Sequence, residues 1–154
     1  MQDDISPIGE YEYPRAVDVW EASVRATHHF VSAGDIEVFR PLVWDAIPQM
    51  QHLVGVRNGE GSVVGFIGVA GDEISMLFVH PDWRGQGIGR RLLEYAVGAL
   101  GATRLDVNEQ NEQALGFYRR MGFEVVGRSE LDGTGKPYPL LHMRLKVFSE
   151  LVLP

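Results

Sequence analysis

His80-Pro81-Asp82-Trp83-Arg84-Gly85-Gln86-Gly87-Ile88-Gly89-Arg90-Arg91 follows the run Glu73-Ile74-Ser75-Met76-Leu77-Phe78-Val79 and precedes Leu92, Ala96 and Leu100 at four-residue intervals. The order reads as a strand, a glycine-rich turn and an amphipathic helix that closes near Gly101. Free N–H groups then converge at the positive end of a helix dipole, which makes an anion site. Gly85, Gly87 and Gly89 let the backbone approach phosphate oxygens without a Cβ, and Arg84 or Arg90 can add a charge-assisted contact. Glycines also serve ordinary turns and close packing, so spacing alone leaves that alternative open.

Two other phosphate motifs fail on their letters. A dinucleotide fingerprint begun at Gly85 needs glycine at 90, where Arg90 stands, and one begun at Gly87 meets Leu92. The Gly135-Lys136 step is followed by Pro137 rather than Ser or Thr, which excludes a Walker loop.

Upstream, Leu53 to Val56, the turn Asn58-Gly59-Glu60-Gly61 and Val63 to Val69 read as a hairpin, and Glu73 to Val79 extends it into an antiparallel meander. Before it, a short extended piece near Ile5 to Ile8 leads to a helix with Ala16, Val19, Trp20, Ser23 and Val24 on one face. Ser32 caps a second helix, whose face is Ile36, Phe39 and Val43 and which Pro41 is expected to bend or divide. Trp20 and Trp44 are both read as core on helical spacing. Downstream, Arg104 to Val107 is a strand, and with the preceding strand and helix it makes a βαβ unit of parallel strands. Ala114, Phe117, Tyr118 and Met121 form a helical stripe, and Phe123 to Gly127 and Leu140 to Leu145 close the sheet. The expected fold class is α/β: an antiparallel N-terminal meander joined to a parallel pair, with flanking helices. No repeat or linker-like stretch divides residues 1–154, so one domain is expected.

At this point the chain resembles the GCN5-related N-acetyltransferase (GNAT) family. Arg84-Gly85-Gln86-Gly87-Ile88-Gly89 matches that family's Q/R-x-x-G-x-G/A signature, and Asn111, Ala114, Phe117, Tyr118, Gly122 and Phe123 fall on its N-x-x-A-x-x-F-Y-x-x-x-G-F motif. Ala26 to Phe30, Asn108 to Tyr118 and Gly135 to Leu141 are similar to the bacterial YjaB-type branch. The resemblance implies a GNAT-like mixed sheet with acetyl-CoA where its two central parallel strands splay apart. It sets the pyrophosphate on Arg84, Gly85, Gln86, Gly87, Ile88, Gly89 and Arg90, and the pantetheine arm against the backbone of Leu77, Phe78 and Val79. Asn111 is carried over as a CoA contact or a helix cap.

The implied reaction moves acetyl from acetyl-CoA directly to a primary amine of a small molecule, peptide or protein. It needs a neutral nucleophile, a stabilised oxyanion and a proton for the departing thiolate. Tyr118 matches the family's general acid; alternatively it packs in its helical stripe. With reference pKa values of about 10 for the phenol and about 8.5 for a thiol, donation in water is uphill by roughly 2 kcal/mol, so the contribution comes as sulfur becomes negative. A backbone amide near Leu77 or Phe78 is the implied oxyanion donor. A lysine-like amine is neutral in only roughly one molecule in 2,500 at pH 7, so a base matters. Glu73 is the candidate, directly or through water, against the alternative of an ordinary strand-end carboxylate. His28 or His29 can also serve, since histidine titrates near neutrality. His28, His29, Phe30 and Tyr138, with the loop Asp132 to Tyr138, are the candidate acceptor-binding residues, although loop polarity alone gives the same pattern. Neighbouring His28 and His29 point about 100° apart on a helix and lack a third ligand, so no metal site is expected.

Composition bounds the rest. Fourteen Lys and Arg against 21 Asp and Glu give a formal charge of −7, which disfavours nucleic acid and anionic lipid and suits a cationic acceptor, or simply confers solubility. No apolar run approaches the roughly 20 residues of a membrane span. Met1-Gln2-Asp3-Asp4 is acidic where a secretory leader is basic, and there is no cysteine, so a cytoplasmic enzyme is expected, as monomer or homodimer. The competing reading is a non-catalytic acyl-CoA-binding sensor or partner-binding module, against which Tyr118 counts.

Overall fold

The computed structural model describes residues 5–146. The chain forms two compact units, one up to Ala102 and one from Thr103 onward. Among the described residues, seven strands and four α-helices make the fold mixed α/β, as expected.

In the first unit the elements are β1 (Ser6–Pro7), α1 (Tyr13–Thr27), α2 (Ala33–Ala46), β2 (His52–Arg57), β3 (Val63–Ala70), β4 (Glu73–Val79) and α3 (Ile88–Leu100). The strands lie in the order β1-β2-β3-β4, each neighbour antiparallel, which is the expected meander with β1 added at its edge. Val63 to Val69 are all buried, because β3 is covered by α1 on one face and α3 on the other. Phe66 joins Ala16, Val17, Val19, Trp20, Val24 and Ile36 in one core, while Gly65 faces Ile88 and Leu92 of α3. A Cβ on Gly65 would lie 2.7 Å from Ile88 Cγ2, so its missing side chain lets the first turn of α3 rest on the sheet.

Three features depart from the sequence reading. Pro41 neither divides nor ends α2, which runs unbroken from Ala33 to Ala46. The N–H that Pro41 lacks would have met the Glu37 carbonyl, and both residues are exposed, so water can serve that carbonyl. Trp44 is not core: it is 46% exposed, whereas Ile36 is buried and Phe39 and Val43 pack inward. A position one beyond Val43 is rotated about 100° around the helix and leaves the buried stripe. Finally, β4 is bulged. Ile74 pairs with Val69 and Met76 with Gly68, so Ser75 is an extra residue with no partner in β3.

Glu12, 45 residues from Arg57 in sequence, joins α1's start to the sheet. Arg57 Nε and Nη2 donate to Glu12 Oε2 and Oε1, both at 2.7 Å, and Gly9 N–H donates to Oε1 at 3.0 Å. Arg57 also donates to Ser6 Oγ and the Pro7 carbonyl, which holds β1 in place. These bonds, Arg57's foremost, hold the Glu12 carboxyl below its ordinary range despite burial.

The second unit contains β5 (Arg104–Asn108), α4 (Glu112–Arg120), β6 (Phe123–Ser129) and β7 (Leu140–Leu145). Its strand order is β5-β7-β6, both pairings antiparallel, with α4 packed on β5 and β6. Leu105, Val107, Phe123, Leu141 and Met143 are buried. The sequence reading ended β6 at Gly127; pairing with β7 carries it to Ser129.

Arg57→Ala leaves the Glu12 carboxylate buried with one backbone donor, and should lower unfolding free energy by about 3 kcal/mol in urea titration. A loss below about 1 kcal/mol would show that water replaces the guanidinium.

Candidate active site

The loop after β4 is assembled from short backbone contacts. His80 N–H bonds to the Val64 carbonyl at 2.8 Å, which ties the strand's end to β3. The His80 carbonyl accepts from Trp83 N–H at 2.9 Å, closing a single 3-10 turn over Pro81–Trp83, and His80 Nδ1 accepts from Asp82 N–H at 3.1 Å. Gly85 and Gly87 then take φ values of 76° and 79°, a left-handed geometry that other residues adopt only with strain. Gly87 is the N-cap of α3 and supplies no side-chain cap, so the first N–H groups of the helix are left to an external acceptor.

A Cβ on Gly85 or Gly87 would meet nothing within 4 Å. Crowding by protein atoms therefore does not explain these glycines, and the space beside them is open to a ligand. Burial draws water away from the Arg84 guanidinium and lowers its pKa from the ordinary value. Arg84 makes no ion pair among the described residues, whereas Arg90 is paired along its own helix with Glu94 at 3.2 Å. The chemistry of this end of the unit suits a phosphate or pyrophosphate, with Arg84 the better-placed counter-charge. The bulge at Ser75 bends β4 ahead of Leu77, Phe78 and Val79, whose side chains are half-buried. Glu73 pairs with Ala70 at the far end of the strand. Four residues of strand place it about 13 Å from Leu77, beyond direct contact with a carbonyl held at that backbone and within reach only through water.

His28 and His29 lie in the loop that follows α1. α1 ends at Thr27 with His28 as its C-cap. His28 is half-buried and stacks obliquely on Phe30 at 5.2 Å, while His29 is exposed. Thr27 Oγ1 donates to the Ser23 carbonyl at 2.7 Å, so it accepts from His28 Nδ1 at 2.8 Å, and the ring is the Nδ1–H tautomer. Burial, then the charges of Arg84 and His29, lower the His28 pKa from 6.5 to about 4. A base that weak is mismatched to an ammonium near 10.4 and is a poor candidate for deprotonating one. Among the described residues no group of His, Asp and Glu side chains is arranged to hold a metal.

In the second unit, Asn111 Oδ1 accepts from Ala114 N–H at 3.1 Å, so this residue is the N-cap of α4. Tyr118 sits on α4 with its ring edge-on to Phe117 at 5.2 Å and Phe123 at 6.1 Å. Burial of the hydroxyl raises its pKa above the ordinary phenol value. Tyr118 is therefore both packed and fully protonated at neutral pH, ready to donate. Tyr138 is buried although it lies in the loop between β6 and β7. The loop before it is wound around one carboxylate: Asp132 Oδ1 accepts from Thr134 N–H, Thr134 Oγ1 and Lys136 N–H. Sequence reasoning missed the Ser75 bulge and the Gly65 contact; of these only Gly65, a glycine inside an apolar run, left a readable sign.

Comparison with known proteins agrees with the geometry. Residues 48–125 match the family model described as an acetyltransferase (GNAT) domain. The chain is 44% identical over 132 residues to the peptidyl-lysine N-acetyltransferase YjaB of Salmonella typhimurium, spanning 86% of this chain and 90% of that one. It superposes on the solution structure of apo-form YjaB from Escherichia coli with a TM-score of 0.83 and 42% identity, over 91% and 95% of the two chains. The PaiA N-acetyltransferase of Thermoplasma acidophilum, solved in complex with coenzyme A, shares the fold at a TM-score of 0.68 and 20% identity, over 92% of this chain and 98% of that one.

His28 also sets a pH dependence. The unfolded chain takes up a proton at His28 near pH 6.5 and the folded chain only near 4, so between these values the unfolded state binds more protons. Its contribution to stability is complete above pH 6.5 and is lost as pH falls through that window. Thermal melts of His28→Gln should decline less steeply than wild type from pH 6.5 toward 4. Parallel declines would assign the effect to other groups.

Proposed function

Because the chain belongs to the GNAT acetyltransferase family, we propose that it is a cytoplasmic enzyme which uses acetyl-CoA to acetylate lysine side chains of polypeptides. The observation that carries the acceptor class is the likeness to YjaB, which extends over nine-tenths of that peptidyl-lysine N-acetyltransferase. The formal charge of −7 supports it, since a lysine-bearing segment arrives as a cation.

When bound, acetyl-CoA supplies a thioester whose acetyl carbonyl is open to attack by a neutral amine. In this reading the N–H groups at Gly85 to Gly89 and the Arg84 guanidinium hold the pyrophosphate, and the β4 backbone from Leu77 to Val79 holds the pantetheine arm and offers an N–H to the developing oxyanion. Asn111, while capping α4, fixes the start of the helix that bears Tyr118. The Tyr118 phenol keeps its proton and would hydrogen-bond to the sulfur as negative charge develops there. Its raised pKa makes full transfer in the ground state still less favourable, so its contribution is a hydrogen bond that strengthens along the reaction. Glu73, reached through intervening water, receives the ammonium proton; it is the remaining candidate because His28 is too weak a base.

Gly87→Glu places bulk and negative charge where the pyrophosphate would bind and strains a φ of 79°, so CoA affinity should fall at least tenfold in calorimetric titration. A folded variant with wild-type affinity would remove this loop from the site.

Incubation with acetyl-CoA and a lysine-containing peptide should yield a peptide heavier by one acetyl group, mapped to the lysine side chain. Tyr118→Phe keeps the ring contacts with Phe117 and Phe123 and should slow single-turnover transfer about 10²- to 10⁴-fold with CoA affinity nearly unchanged. Wild-type rates in this variant would reject the acid, and tight CoA binding without any acceptor-dependent release would favour the non-catalytic module.

A further inference from the structure

The second unit carries a hydrogen-bonded serine, histidine and aspartate that acetyl transfer does not use. Along β5, Asp106 lies between buried Leu105 and Val107; along β7, His142 lies between buried Leu141 and Met143. Alternation therefore turns Asp106 and His142 to the opposite, open face, where they are direct cross-strand neighbours. On its other side His142 faces Gly127 of β6, just past the register shift that begins at Val125. A Cβ there would stand 3.3 Å from His142 Cδ2, so the glycine leaves room for the imidazole to lean across toward Ser129, two residues further on the same face.

The resulting distances are 2.6 Å from His142 Nδ1 to Asp106 Oδ1 and 2.7 Å from His142 Nε2 to Ser129 Oγ. An ionised carboxylate only accepts, so Nδ1 carries the hydrogen. In the neutral ring Nε2 is then the acceptor, and Ser129 O–H donates to it. Nucleophile, base and orienting carboxylate thus stand in the order that activates a serine.

We propose that Ser129 is a nucleophile, His142 its general base and acid, and Asp106 their positioning residue, giving the protein a second activity as a hydrolase of short activated acyl esters and thioesters. His142 Nε2 takes the Ser129 proton as Oγ bonds to the acyl carbon; collapse of the adduct breaks the bond to the alcohol or thiol, which leaves with the proton from His142. Water, deprotonated by His142, then cleaves the acyl–Ser129 ester to release the carboxylic acid and restore the serine. The His142 and Asp106 side chains are 37% and 38% exposed, which admits acyl donor and water but screens the ion pair that forms, so the rates are modest.

The test uses the full chain with 4-nitrophenyl acetate, without acetyl-CoA or amine. Rapid quenching and peptide mapping should find acetyl on Ser129, and a fluorophosphonate probe should label the same residue of the wild-type protein. Ser129→Ala and His142→Gln should each lose the label and at least tenfold of the hydrolysis rate, while Ser129→Ala keeps its melt and its acetyl-CoA-dependent acetylation of a lysine peptide. Asp106→Asn should lower kcat about tenfold with KM unchanged, as expected when the wrong imidazole tautomer is favoured. Absence of both labels from Ser129 in the folded wild type, or hydrolysis at the wild-type rate in Ser129→Ala, overturns the proposal; an adduct confined to His142 does so as well.

Discussion

A helix that begins without a cap of its own governs the first unit. The chain leaves β4 through two left-handed glycines, Gly85 and Gly87, and enters α3 with its first N–H groups unmatched by any cap side chain. Ser32 on α2 and Asn111 on α4 each close their helix by accepting from a first-turn N–H. At α3 the dipole and the free donors face open space instead, which is what an anionic ligand requires. The constraint extends into the sheet, because Ile88 can lie at the base of that helix only where Gly65 leaves β3 bare.

The surroundings explain why such an end is tolerated. β3 is buried on both faces and Leu92, Leu93 and Ala96 of α3 are wholly buried, so packing of the helix offsets the missing cap. At the opposite edge the bidentate Glu12–Arg57 pair ties β1 and the start of α1 to β2. A buried ion pair contributes little net stability but is costly to break, so it acts chiefly to hold these segments in one arrangement.

Environment also distributes the proton chemistry. His28 and Tyr118 are both partly withdrawn from water, and withdrawal favours the neutral form of each. For histidine that means a weak base held in one tautomer by Thr27; for tyrosine it means an acid that keeps its proton until a strong acceptor forms. The same physical cause therefore weakens His28 as a base and limits Tyr118 to a hydrogen-bonding role. His142 differs: its ring is held by contacts on both sides, a carboxylate and a hydroxyl, on an open sheet face.

Local patterns settled much of this protein in the sequence itself. The extents of β4 and α3, the Ser32 cap, the Gly101 stop and the glycine turn between β4 and α3 were all legible, because alternation, helical spacing and glycine at a turn act between residues a few positions apart. The unbroken course of α2 through Pro41 and the exposure of Trp44 were not, since both depend on which side of the helix the core covers. Nor was the bulge at Ser75, where a regular apolar–polar–apolar triplet hides a register slip set by the neighbouring strand. Glu12 meets Arg57 across 45 residues, and Asp106, His142 and Ser129 meet from three strands, two of them 36 residues apart in sequence. Burial, proton affinity and the convergence of distant side chains are properties of the folded surroundings, which only the tertiary structure decides.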